Sequence, residues 1–165
     1  MLRRTLLALV LVTLTATMAA AQTTYLIVRH AERADGPGSS GGATDPSLSA
    51  AGRARAASLA AMLKNQKLSA VFATEFKRTQ QTAAPTAKAQ GLTVTTIPAG
   101  ATPTLVEKLK GATGAVLVVG HSNTVPEIVA GLGIATPVTI DDQDFDNLFI
   151  VTTGEHSSLV RLRYK

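Results

Sequence analysis

Gly114-Ala115-Val116-Leu117-Val118-Val119-Gly120-His121-Ser122-Asn123 is the stretch that decides the architecture. Ala115 to Val119 is an unbroken apolar run bounded by glycines. A strand with no polar face must be covered on both sides, which is the situation of a central strand in a parallel sheet. Upstream, Thr24-Tyr25-Leu26-Ile27-Val28-Arg29 and Ala70-Val71-Phe72-Ala73-Thr74 are β-branched and aromatic runs that read as further strands. Between them, Ser49 to Lys64 places Leu59, Met62 and Leu63 at helical spacing among alanines. Phe76 to Gln90 reads as a helix broken only by Pro85, with Gly91 as its stop before a strand from Leu92 to Ile97. Pro103 to Lys110 and Pro126 to Leu132 are short helix candidates. Leu148 to Thr152 and Leu159 to Tyr164, separated by Gly154 to Ser158, predict a closing hairpin. Strands alternating with helices predict a three-layer α/β/α domain with a mostly parallel central sheet.

The 165 residues suffice for one domain, since domains usually run to about 100–200 residues. The absence of cysteine excludes disulfides, thiolate metal sites and cysteine nucleophiles. Aromatic residues make up 4% and tryptophan is absent, so the stacking platforms of single-strand nucleic-acid binders are poorly supplied and no nucleic-acid partner is expected. Arg3 and Arg4, an apolar stretch from Leu6 to Leu14 and then Ala19-Ala20-Ala21 follow the order of a signal peptide, predicted over residues 1–21. Its apolar stretch is well short of the roughly 20 residues that span a bilayer, so no stable membrane insertion is expected after cleavage. Cleavage would remove 21 of 165 residues and leave 144, residues 22–165, as a single catalytic domain that is periplasmic or secreted. Two arginines and no acid would go with it, lowering the net charge from +5 to +3. From Arg33 to Ser47, four glycines, two prolines and three serines predict neither helix nor strand; a loop of that length is a lid or a disordered insert.

Two of the three histidines, His30 and His121, fall at the carboxyl ends of predicted strands, the edge of an open parallel sheet where ligands bind. Arg29 precedes His30, and the strand Ala70 to Thr74 ends just before Glu75 and Arg78. Two histidines and two arginines above one sheet edge suit a phosphoryl group. A guanidinium binds two phosphate oxygens at once and stays charged, and a neutral imidazole is a competent nucleophile toward phosphorus.

The local words resemble those of the histidine phosphatase superfamily, the phosphoglycerate mutase-like fold. Val28-Arg29-His30-Ala31-Glu32 looks like its first-strand signature. Leu48-Ser49-Ala50-Ala51-Gly52 is similar to the opening of its first helix. Thr74-Glu75-Phe76-Lys77-Arg78-Thr79-Gln80-Gln81-Thr82-Ala83 resembles its second-arginine block, and Val118-Val119-Gly120-His121-Ser122-Asn123 its last catalytic strand. The resemblance implies a phosphomonoester hydrolase in which His30 forms a phosphohistidine. Arg29, Arg78 and His121 would line the phosphate pocket, with no metal and no cofactor. Ser122 stands where one branch of the family has an Asp donor, so the proton donor falls to Glu75, Glu107 or Glu32. Glu75 is preferred because it adjoins the strand edge near Arg78. Glu107 has the look of a solvated helix carboxylate, and Glu32 of a residue that pairs with an arginine or orients the pocket. Ser122 and Asn123 can donate to phosphate or cap the following helix. The substrate is expected to be a small or surface-linked phosphomonoester.

Two other readings remain. Gly120-His121-Ser122-Asn123-Thr124 is close to a serine-hydrolase nucleophile elbow, with Asp141, Asp142 or Asp144 and then His156 in the order of a triad, although Thr124 replaces its last glycine. A module that binds a phosphorylated ligand without turnover would use the same pocket. Asp141, Asp142, Asp144 and Asp146 lack the calcium-loop spacing and predict a polar loop leading to the hairpin. Arg53 and Arg55 are expected on the exposed side of the first helix without partners. Arg161 and Arg163 are expected to guard an edge strand.

Overall fold

The computed structural model describes residues 22–36 and 45–164. The signal-peptide expectation, and most of the glycine-rich stretch whose role as lid or insert was left open, fall outside these residues. The elements are β1 (Thr23–Arg29), α1 (Ala50–Met62), β2 (Leu68–Ala73), α2 (Lys77–Gln90), β3 (Val94–Thr96), α3 (Thr102–Lys110), β4 (Ala115–Gly120), α4 (Thr124–Gly131), β5 (Asn147–Thr153) and β6 (Ser158–Arg163). They form one six-stranded sheet in the order β3-β2-β4-β1-β5-β6. The first four strands of that order run parallel, and β5 and β6 add antiparallel at one edge.

Side chains along a strand point alternately to the two faces, and the apolar run of β4 feeds both layers. Val116 and Val118 join Tyr25, Ile27, Leu105, Leu109, Val125 and Ile128 under α3 and α4. Leu117 and Val119 join Leu26, Val28, Leu59, Val71, Ala83 and Ala87 under α1 and α2. Tyr25 and Leu109 also share a polar bond, the buried phenol donating to the Leu109 carbonyl at 2.9 Å.

Helix α2 runs through Pro85 without a break. Thr82, Ala83, Thr86 and Ala87 are buried on either side of it, and that packing offsets the hydrogen bond that proline removes. Strand β3 is shorter than the predicted Leu92 to Ile97. Gly91 closes α2 in the left-handed conformation (φ 67°), and the Leu92 N–H turns back to the Ala87 carbonyl at 2.9 Å, which takes Leu92 out of the strand. Helix α4 starts earlier than Pro126, because proline is tolerated in a first turn.

The word Leu48-Ser49-Ala50-Ala51-Gly52 has a packing reason. Ser49 Oγ accepts the Gly52 N–H at 3.0 Å and caps α1, while a Cβ on Gly52 would stand 2.2 Å from the Glu32 carbonyl oxygen. Contrary to expectation, both arginines of α1 are engaged. Arg53 donates to the Leu48 carbonyl at 2.8 Å. Arg55 forks onto the Glu32 carboxylate, 2.6 Å at its closest, and reaches the Tyr164 carbonyl at 3.2 Å. Their partners come from segments distant in sequence or outside the helix, which helical spacing does not reveal. At the sheet edge, Arg161 and Arg163 of β6 pair with Asp144, and Arg163 also with Asp146. Much of the acidic cluster thus neutralises the edge strand.

Candidate active site

Three parallel strands, β1, β4 and β2, lie side by side, and their carboxyl ends deliver His30, His121 and Thr74 to one place. Arg29 is in register with Gly120, so the histidines that follow them emerge together. Their rings meet edge-on with centroids 5.4 Å apart. An open cavity of about 410 Å³ lies over them, lined also by Arg29, Arg33, Phe76, Arg78, Ala99, Ser122, Asn123 and Asp142.

The hydrogen bonds assign both imidazole tautomers. His30 Nδ1 lies 2.8 Å from the Ala31 carbonyl, which can only accept, so Nδ1 carries the proton and Nε2 keeps its lone pair. The Ala31 N–H is held in turn by Thr82 Oγ1 at 3.0 Å. His121 Nδ1 faces the Arg78 Nη2 donor at 3.4 Å, so its proton sits on Nε2 and donates to Thr74 Oγ1 at 2.9 Å. Thr74 passes its hydroxyl to Thr79 Oγ1 at 2.8 Å, and Thr79 donates to the Phe76 carbonyl at 2.8 Å. Burial holds both imidazoles neutral. His30 is lowered to about 3, chiefly by desolvation, with the Ala31 bond opposing and His121, Arg78 and Arg29 adding to it. His121 is lowered to about 4 by desolvation and then by Arg78, Arg29 and Arg33.

Arg29 is buried and Arg78 half-buried, and both are held by aromatic faces. Arg29 stacks 4.3 Å from the centroid of Phe145, and Arg78 lies 4.2 Å from that of Phe76. Arg29 Nη1 donates to the carbonyls of Asp141 at 2.8 Å, Asp142 at 3.2 Å and Asp144 at 3.4 Å. Arg78 Nη1 lies 3.6 Å from Asp45, whose carboxylate also accepts the Lys77 N–H at the start of α2. The Nε atoms of both arginines are buried without a protein partner. Desolvation lowers the pKa of both guanidiniums, and an arriving anion would offset that cost. Asn123 makes no capping bond at the start of α4, where Thr124 Oγ1 accepts the His121 N–H at 2.9 Å. The Asn123 side chain is therefore not spent on the helix.

The carboxylates expected as proton donors lie elsewhere. Glu75 accepts the Ala99 N–H at 2.8 Å and is not a wall residue of the cavity. Glu107 is exposed on α3 and pairs with Lys110 at 3.1 Å, while Glu32 is taken by Arg55. The cavity walls instead include Arg33, which the sequence offers only as the start of a loop, and Asp142, which it offers only as a hydrolase acid or as part of a polar loop. Arg33 forms an ion pair with Asp35. The hydrolase triad is not assembled: His156 is exposed in the β5–β6 turn, beyond Thr153, which pairs with Thr23 at the opposite end of β1 from His30. Among the described residues no group of three or more His, Asp or Glu is placed to hold a metal ion, and no helix is long and apolar enough to cross a membrane.

Residues 25–101 match the model of the histidine phosphatase superfamily, branch 1. Over that stretch, just under half of its length, the chain is similar to the histidine phosphatase superfamily. The match indicates a phosphatase- or mutase-type enzyme. No curated protein sequence matches it. Among solved structures it is similar to the protein histidine phosphatase SixA complexed with tungstate, at 22% identity and a TM-score of 0.63, over 85% of this chain and 96% of that one. A mycobacterial glucosyl-3-phosphoglycerate phosphatase aligns at 16% identity and a TM-score of 0.65, over 88% of this chain and 100% of that one. A phosphoglycerate mutase from Bacillus anthracis aligns at 12% identity and a TM-score of 0.69, over 87% and 94%. These likenesses establish the phosphoglycerate mutase-like fold of this chain.

Proposed function

We propose that this enzyme hydrolyses phosphomonoesters through a phosphohistidine on His30. The observation that carries the reading is the tautomer of His30. With Nδ1–H tied to the Ala31 carbonyl, Nε2 is the nitrogen left with a lone pair, on a neutral ring in a cavity lined by Arg29 and Arg78. Nε2 attacks phosphorus, the bond from phosphorus to the leaving oxygen breaks, and water then cleaves the P–N bond to release phosphate. Charge on the transferring group falls among Arg29, Arg78 and Asn123, and preorganised donors of this kind typically contribute about 2.7–4 kcal/mol each to barrier lowering. His121 places its ring against that of His30 and, through Thr74, keeps a fixed orientation.

Hydrolysis is favoured over mutase activity because the cavity opens to solvent, whereas returning a phosphoryl group to a substrate requires that water be kept out. The substrate is a small or surface-linked phosphomonoester, met in the periplasm or outside the cell if residues 1–21 direct export. Turnover of a chromogenic phosphomonoester by the wild-type chain, its loss in His30→Ala, and acid-labile label trapped on His30 after brief exposure to a 32P-labelled ester are the expected results. Turnover without any phosphoenzyme, or turnover abolished only by Ser122→Ala, would overturn the reading.

A further inference from the structure

We propose that Asp142, a residue of the loop between α4 and β5, carries the proton to the leaving oxygen and takes it back from water. The inference rests on the reading in which His30 accepts the phosphoryl group. That transfer leaves an alkoxide unless a proton arrives as the P–O bond breaks. The site's other groups do not supply one. Neutral His30 and His121 have committed their single N–H groups to Ala31 and Thr74, and Glu75, Glu32 and Glu107 face other partners. Among the described residues that line the cavity, Asp142 is the one carboxylate.

Its placement is held through the backbone. Arg29 Nη1 gathers the carbonyls of Asp141, Asp142 and Asp144, and the turn is closed by the Asp144 N–H donating to the Asp141 carbonyl at 2.9 Å. The same arginine that borders His30 therefore sets the position of this carboxylate relative to it. The charged groups around it are Arg29, Arg33, Asp141 and Asp144; among these carboxylates Asp142 exerts the strongest pull on Arg29.

The cycle balances. As His30 Nε2 bonds to phosphorus, the ester P–O bond breaks and the Asp142 proton passes to the leaving oxygen. The resulting carboxylate accepts a proton from the water whose oxygen attacks phosphorus; the P–N bond breaks, phosphate departs, and Asp142 is again protonated. No further reactant enters.

Asp142→Asn tests this, because the Arg29 bond goes to the backbone oxygen and survives the substitution. Phenyl phosphate, whose leaving oxygen needs a proton, is compared with 2,4-dinitrophenyl phosphate, whose leaving group departs as a stable anion. The expected result is a loss in kcat/KM of about 10²-fold or more on the first and of less than about threefold on the second. Retained activity on the dinitrophenyl ester also shows that the variant is folded. Equal losses on the two esters, or none on either, overturn the assignment. Activity that survives His30→Ala instead overturns the phosphohistidine reading on which it rests, and absence of turnover by the wild-type chain on both esters overturns both.

Discussion

His30 donates its Nδ1 proton to the carbonyl of Ala31, its own neighbour, at 2.8 Å. Because β1 ends at Arg29, the peptide between Ala31 and Glu32 lies beyond the strand and presents the Ala31 carbonyl to the ring. One residue of chain thus selects the tautomer that a nucleophile requires, and does so without a second carboxylate.

The depressed pKa values give a pH signature. His30 at about 3 and His121 at about 4 lie below the unfolded-state value near 6.5. In that interval the unfolded chain binds more protons, so each histidine contributes stability that is fully present above about 6.5 and is lost as the pH falls toward the folded value. The slope should reach at most about 1.4 kcal/mol per pH unit for each ring. Urea unfolding at pH 7, 6, 5 and 4 should show this decline, and His121→Asn should flatten it. Proton NMR titration should place both midpoints below 5; a midpoint near 6.5 for His30 would contradict the buried, neutral ring.

Arg29 and Arg78 should separate in their effects. Arg78→Ala is expected to lower kcat/KM by about 10²–10³-fold with a modest change in Tm. Arg29→Ala should lose comparable activity and also about 1–3 kcal/mol of stability, because it leaves loop carbonyls of residues 141–144 without their donor. Equal Tm values for the two variants would show that the loop does not depend on Arg29.

Thr74 should matter although it lies behind His121. Thr74→Val removes the acceptor of the Nε2 proton and leaves a buried N–H unpaired. An order-of-magnitude fall in kcat, about tenfold, is expected with little change in KM, accompanied by mixed tautomers of His121 in 15N spectra. Wild-type kcat with an unchanged tautomer would remove Thr74 from the positioning of that ring.

Gly52→Ala offers a test of the fold. The added Cβ would press on the backbone of Glu32, an atom that cannot swing aside. Destabilisation of about 1–3 kcal/mol or more is expected in chemical denaturation, with α1 displaced from the Glu32–Arg55 pair. A neutral outcome would mean that the α1 start is softer than its contacts indicate.

The sequence by itself determined the kinds and order of the elements, the doubly covered central strand and the meeting of His30 with His121. These are local properties: an apolar run such as Val116 to Val119 carries its burial in its own pattern, and a residue that follows a strand stands at the sheet edge wherever the strand is placed. It also supplied the pairing of Glu32 with an arginine, but not which one, since Arg55 reaches it only after α1 has folded back against the end of β1. The tertiary structure alone decided the rest. Glu75 lies two residues past β2 and three before Arg78, yet its carboxylate is turned to Ala99. Asp142 is far from both histidines in sequence and carries no motif, yet Arg29 brings its loop to the cavity by grasping carbonyl oxygens that every residue type possesses. Backbone acceptors leave no trace in side-chain identity, and contacts across a hundred residues depend on how loops are held. For those reasons the two histidines at the sheet edge were legible in the sequence while the place of Asp142 in the cavity wall was not.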